Sequence, residues 1–303
     1  MGRVASEIYF RLNQNLNSFS SNLPLIVLEN YGSGRPSQND YQTASMAVIE
    51  PTDGRTGLMS AFAASSRVGI KIRGSSTSGR SKASLSLEVQ DEFGQDRNLS
   101  LLGMPNESDW VLWGPYNFDL TLMHNPFIFE LSRQIGRYAP RTRFVEVYLN
   151  TGGGALSSAD YYGVYALMEK ISRDADRVDV ERLFEEHRLE PDVSGGYIFK
   201  IDRADPGDSG FGAAGQSIKY VYPKEVEIER PGRDAQQQYV RRFFNEMGRA
   251  LNASYFRDPT RGYAKYIDVD AAIDHHLLNV LAFNVDALRL SGFMYKPRGG
   301  KLT

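Results

Sequence analysis

Three places in the chain carry side chains whose types and spacing could do chemistry. The first is Asp286, in the stretch Asn284-Val-Asp286-Ala-Leu-Arg289-Leu-Ser291. Just before it Ile273, Leu277, Val280 and Leu281 recur at helical spacing, so a buried helix is predicted to end shortly before a lone carboxylate flanked by Asn284 and Arg289. That arrangement suits a general base held at the edge of a core, and equally an acid that ends the helix or caps the next turn. The second place is Gly74-Ser-Ser-Thr-Ser-Gly-Arg80-Ser81, a small-residue loop with Arg73 before it and Lys82 after it. Backbone amides and hydroxyls of such a loop can gather around a phosphate while the cations neutralise it. The spacing is not that of a Walker-A loop, and a solvated hairpin tip remains the alternative. The third is Asp274-His275-His276, but adjacent histidines on a helix point about 100 degrees apart and do not readily share one ion. No Gly-x-Ser-x-Gly elbow supports Ser-His-Asp hydrolysis.

These groups must be positioned by a chain of 303 residues, more than the usual single domain of roughly 100 to 200, hence one large domain or two lobes. With 41% hydrophobic and 24% charged residues the composition is that of a globular protein. A net charge of −2 gives no broad electrostatic reason to expect nucleic acid as a partner. Having no cysteine, the chain has no disulfide, thiol nucleophile or cysteine-bound metal. No apolar run approaches the roughly 20 residues of a membrane span, so a soluble chain is expected. The first residues lack the apolar centre of a signal peptide, while Met-Gly with Ser6 fits a short myristoylation pattern that often arises by chance.

Residues 1–22 read as a polar lead-in. The apolar run from Leu23 to Asn30 predicts a buried strand, and Ala44, Met46 and Val48 alternate as a second. Val68-Gly-Ile70-Lys-Ile72 and Leu85-Ser-Leu87-Glu-Val89 form the two arms around the small-residue loop, with Lys82 opening the second arm. Trp110 and Trp113 follow, either as core anchors or as a stacking platform. A helix is predicted from Leu120, stopped by Gly136 and Pro140, with Glu130 near its middle. Strands are expected at 143–150, 161–171 and 195–202, and helices in the region of 231–252 and 268–283.

The motifs IKIRGSSTSGRSKASLSLEV, LLGMPNESDWVLWGPYNFDLTLMHN, APRTRFVEVYLN, YYGVYALMEKISRDADRVDV, SGGYIFKID and NVDALRLSGFMYKPRGGKL stand in this order. Together they resemble the CotH-type spore-coat kinase family over nearly the whole chain. The resemblance implies an α+β, atypical protein-kinase-like two-lobe fold: a β-rich N-terminal lobe over 23–170 and a mostly helical C-terminal lobe over 171–303. It implies ATP and Mg²⁺ (or Mn²⁺) as cofactors and transfer of the γ-phosphoryl group to Ser or Thr of a protein substrate. Asp286 would then be the catalytic base. Arg73, Gly74 and Lys82 would meet the phosphates, Glu130 would orient the cation, and Met168, Glu169 and Lys170 would lie near the adenine. Ser291, five residues after Asp286, takes the position of a metal ligand, though serine is a weaker one than asparagine. His124 stands where the family usually has arginine, and serves the same contact only if protonated or donating a hydrogen bond. Members of the family continue into a Trp-Asp-Phe-Asp-like segment, so the main metal aspartate is expected beyond Thr303, the C-terminal part being incomplete. The family further suggests a bacterial source and a place on a spore coat or cell surface, or secretion. A non-catalytic coat or surface assembly module that keeps the fold is the competing reading.

Overall fold

The structure is a computed structural model that describes residues 7–114, 119–204, 207–287 and 289–303. The myristoylation pattern at the start of the chain, and Tyr116 and Leu288 within two of the quoted motifs, lie outside the described residues. The chain divides into two compact units, residues 1–131 with 139–170, and residues 132–138 with 171–303.

The first unit is a closed barrel. Its strands are β1 (Leu25–Glu29), β2 (Gln42–Ile49), β3 (Ala64–Arg73), β4 (Ser84–Gln90) and β5 (Asp109–Trp113). After helix α1 (His124–Gln134) come β6 (Thr142–Asn150) and β7 (Tyr161–Glu169). The spatial order is β1-β2-β3-β4-β5-β7-β6, and β6 returns to pair with β1 in parallel, Leu25 opposite Glu146. Every other contact around the ring is antiparallel. Alternate residues fill the interior: Ile26, Leu28, Met46, Val48, Val68, Ile70, Leu85, Leu87, Trp110, Val147 and Leu167 belong to one buried cluster. The outer faces of several strands are covered too. Leu25 and Val27 pack with Leu16, Leu58 and Leu156, which explains why β1 is apolar at each of its first four positions instead of alternating. Val111, Ala166 and Met168 pack with Phe129 of α1. Trp110 is therefore a core anchor, its Nε1 donating to the Glu107 carbonyl at 2.9 Å.

The second unit is built on a four-stranded antiparallel sheet in the order β11-β8-β10-β9, from β8 (Tyr197–Ile201), β9 (Gly210–Ala213), β10 (Gln216–Tyr222) and β11 (Gly292–Lys296). The β9–β10 hairpin turns on Ala214 and Gly215 with φ of 50° and 77°, the two left-handed positions of a type I′ turn. The helices here are α2 (Glu225–Ile228), α3 (Asp234–Asn252) and α4 (Val269–Leu281). Helix α3 lays Tyr239, Val240 and Phe244 on Tyr197, Phe199, Phe211 and Tyr220 of the sheet. Ring pairs at 5.2 to 6.0 Å, such as Phe199–Phe244 and Phe199–Phe211, make this a mainly aromatic core.

Two expectations are corrected here. The chain is a β-rich protein with a closed seven-stranded barrel and four helices among the described residues, not a two-lobe kinase-like fold with a helical C-terminal lobe. The C-terminal half reads as helical because β9 is short and glycine-rich and gives its hairpin with β10 little alternation, leaving α3 and α4 as its strongest periodic signals. Second, α4 forms as predicted, capped by Asp268 accepting from the Ala271 amide at 3.0 Å, but its apolar stripe is not buried. Ile273, Leu277, Val280 and Leu281 are 51%, 59%, 61% and 63% exposed. Periodicity reports that a helix has an apolar side and is silent about what lies against it. Among the described residues no helix is long and apolar enough to cross a membrane.

Candidate functional site

In the barrel unit, the small-residue loop joins β3 to β4, whose register runs from Arg67 opposite Gln90 to Arg73 opposite Ser84. Lys82 sits in the loop rather than on β4. Its side chain is half-buried, with Nζ 5.1 Å from the centroid of the Tyr165 ring, and burial draws the ammonium below its ordinary range. Neither Lys82 nor Arg35 pairs with a carboxylate among the described residues. Arg73 ends β3 at an exposed position. Gly74 has φ of 97°, and a Cβ there would meet Thr77 Oγ1 at 2.4 Å, so the loop needs glycine at its first position. The carbonyl side of the loop is occupied. Arg35 Nη2 donates to the Ser78 and Arg80 carbonyls, each at 2.9 Å, and Gln38 Nε2 donates to the Gly74 carbonyl at 3.0 Å.

The residues expected near adenine line the end of β7. Met168 is buried between Val111 of β5 and Thr142 of β6. The Glu169 side chain is fully buried and accepts from Arg141 Nη1 at 2.6 Å and from the Arg141 amide at 2.9 Å. Lys170 Nζ donates to Asp109 Oδ1 at 2.8 Å. Glu130 lies on the exposed side of α1. At the start of that helix is an acid the sequence reading passed over. Asp119 is buried and accepts from Thr121 Oγ1 at 2.7 Å and from the Thr121 and His124 amides at 3.1 and 2.9 Å. Burial alone would raise its carboxyl, but these bonds outweigh it and hold the group below the usual range. His124 Nδ1 is 3.6 Å from Asp119 Oδ1, so its nearest acid is one its own helix start requires. The signal for Asp119 was Asp-x-Thr ahead of an apolar helix pattern, the composition of a side-chain-capped turn.

In the second unit Asp286 lies in the turn after α4 and is 53% exposed. Arg289 Nη2 donates to its Oδ1, and its own amide donates to Asn284 Oδ1 at 3.2 Å. Asn284 is fixed in turn by donating from Nδ2 to Asn279 Oδ1 at 2.8 Å. The carboxylate is thus oriented by its two sequence neighbours and still open to solvent. Ser291, with φ of 53°, begins the approach to β11 and donates from Oγ to Asp202 Oδ2 at 3.1 Å. Asp202, just after β8, is a second acid that the sequence reading did not single out; the pairing of Gly292 with Ile201 brings it to Ser291. Asp274 accepts from Arg137 Nε at 2.7 Å, and His275 Nε2 meets Asn279 Nδ2 at 3.0 Å, so these side chains serve α4 and its surroundings.

Among the described residues no cluster of three acidic, histidine or cysteine side chains could hold a metal ion alone. A Mg²⁺ carried by nucleotide phosphates asks less of the protein, one or two carboxylates with water completing its shell. Asp202 beside Ser291 fits that lesser demand. Lys296, the last residue of β11, is 2% exposed. It donates to the Ser194 carbonyl at 2.5 Å and the Gly300 carbonyl at 2.9 Å, between the rings of Phe243 and Tyr239 at 4.8 and 5.7 Å.

No curated protein matches the chain. The family model described as CotH kinase protein matches residues 70–303, which take in the β3–β4 hairpin from within β3, the buried pairs of β7, and both Asp286 and Ser291. A match over most of the chain places it: the protein belongs to the CotH kinase family.

Proposed function

We propose that the protein transfers the γ-phosphoryl group of ATP to a Ser or Thr hydroxyl of a protein substrate. The observation that carries the reading is membership of a kinase family over 70–303. Phosphoryl transfer needs little covalent chemistry from the protein and much positioning and charge neutralisation. In the barrel unit, Lys82 is a half-buried cation beside a Gly/Ser/Thr loop, suited to nucleotide phosphates, with Arg73 and Gly74 beside it. In the second unit, Asp286 is exposed and aimed by Arg289 and Asn284, suited to accept or orient the proton of the attacking hydroxyl. Asp202 and Ser291 are the groups proposed to hold Mg²⁺ (or Mn²⁺), which supplies charge neutralisation on the phosphates when bound. Glu130 is assigned to orienting the phosphate cation, and Met168, Glu169 and Lys170 to the neighbourhood of the base, on the family resemblance.

The test is transfer of radiolabelled phosphate from ATP to a Ser/Thr-containing protein, alongside calorimetric titration with ATP in the presence and absence of Mg²⁺. Asp286→Ala is expected to abolish transfer and leave nucleotide affinity within about twofold, a change smaller than the usual net worth of one hydrogen bond. Loss of folding in that variant would make Asp286 a structural cap. A second reading, a coat or surface assembly module, is favoured by the exposed apolar stripe of α4. A folded wild-type protein that neither binds ATP nor transfers phosphate would select it.

A further inference from the structure

The hairpin between β3 and β4 is held from outside by a segment the family match does not include. The match begins at residue 70, whereas Arg35 and Gln38 lie in the connection between β1 and β2. Arg35 reaches two carbonyls of the loop, Ser78 and Arg80, with one nitrogen, and Gln38 reaches the Gly74 carbonyl. A further bond, Ile72 N–H to the Ser37 carbonyl at 2.8 Å, ties the same connection to the end of β3. A trans peptide is planar, so the N–H of each following residue points opposite to the carbonyl before it. Fixing the carbonyls of Gly74, Ser78 and Arg80 therefore turns the amides of Ser75, Gly79 and Ser81 to the other side. None of these three amides donates a hydrogen bond among the described residues. Arg35 is also within Coulombic reach of Tyr165, the ring beneath the Lys82 ammonium.

We infer that Arg35 and Gln38 are positioning residues that hold the hairpin as a polyphosphate receptor, its carbonyls turned away and the Ser75, Gly79 and Ser81 amides presented with Lys82. This rests on the reading above that the hairpin meets nucleotide phosphates. Successive amides directed at one side form an anion-binding concavity, and an unbraced Gly/Ser loop would lose that order to conformational entropy. The ligand chemistry is a linear polyphosphate, whether as ATP or free.

The experiment titrates wild type, Arg35→Ala, Arg35→Lys, Gln38→Ala and Lys82→Ala with ATP and with inorganic tripolyphosphate. Hydrogen exchange of residues 74–82 and the thermal midpoint are followed in parallel. Arg35→Ala is expected to weaken both ligands about tenfold, the equivalent of roughly 1.4 kcal/mol. It should also speed exchange in the loop while the midpoint moves little. Arg35→Lys should stay weak, because an ammonium keeps the charge but ends one bond short of the Nη2 position that reaches both carbonyls. Full rescue by lysine would overturn the bracing role and leave only charge. If Lys82→Ala loses affinity and Arg35→Ala does not, the bracing inference is wrong while the phosphate reading stands. If neither variant alters binding, or wild type binds neither ligand, the hairpin is not the phosphate site and the inference goes with it.

Discussion

Lys296 offers a quantitative test of the second unit. Its ammonium is almost wholly buried between two rings, and burial lowers its pKa to about 8, against the opposing pull of Glu190 and Glu181. Below pH 8 both folded and unfolded chains carry the proton, and the folded state bears the whole cost of the buried charge. Above pH 10.5, the ordinary lysine value, neither carries it and the cost is gone. Between them the unfolded chain binds more protons than the folded one, so stability rises with pH. The neutral amine keeps two N–H donors, one for each of its two carbonyl partners, so deprotonation breaks neither bond. From the two pKa values the relief amounts to about 2 kcal/mol between pH 8 and 10, at 1.36 kcal/mol per unit. The window closes there, because burial holds Tyr197 and Tyr220 above their ordinary values and their linkage lowers stability once unfolded tyrosines ionise. Urea unfolding at fixed intervals from pH 7.5 to 10, followed by exchange protection of the β8 amides, would compare wild type with Lys296→Met. The variant is less stable throughout for lack of a donor to the Ser194 and Gly300 carbonyls, so the difference in slope is what counts. Parallel pH profiles for the two proteins would refute the reasoning.

Two further outcomes are expected. Lys82→Ala should weaken ATP binding by roughly 1.5 to 3 kcal/mol, the range for a hydrogen bond to a charged group, and an unchanged affinity by calorimetry would remove Lys82 from the site. Arg141→Ala leaves the buried Glu169 carboxylate with only the backbone amide bond. Because Arg141 is itself partly exposed, unfolding experiments should show a loss of about 2 to 3 kcal/mol, at or just below the low end of the usual cost of roughly 3 to 5 kcal/mol for stranding a buried charge, with the Glu169→Gln double variant recovering part of it.

The strands of the barrel were legible wherever one face differs from the other: Val68, Ile70 and Ile72 point inwards and Lys71 does not. Closure of the barrel was not, because it depends on Leu25 finding Glu146, a pairing with no local signature. The β9–β10 hairpin was missed since β9 is Gly-Phe-Gly-Ala, too short and too flexible to alternate. Gly215 at its turn was the available sign. Around the candidate residues, the sequence pointed to Asp286 with its neighbours Asn284 and Arg289, which do hold it. It could not point to Asp202 as the partner of Ser291, or to Arg35 on the loop carbonyls, because both contacts join distant stretches of chain. The pairing of Glu169 with Arg141 and of Lys170 with Asp109 appears only when β5, β6 and β7 are laid side by side.

The parallel seam between β1 and β6 also decides where a self-sufficient piece of this protein starts. The family match opens at residue 70, in the middle of β3. A polypeptide begun there would lack β1, β2 and half of β3, and with them Ile26, Leu28, Met46, Val48 and Val68 from the interior. The ring would open into a curved sheet with two raw margins, β6 on one side and the stub of β3 on the other, each offering unsatisfied amides to any neighbouring chain. Expression of the matched region by itself should therefore yield aggregates, and the shortest workable boundary lies before Leu25, with Arg35 and Gln38 retained as a result.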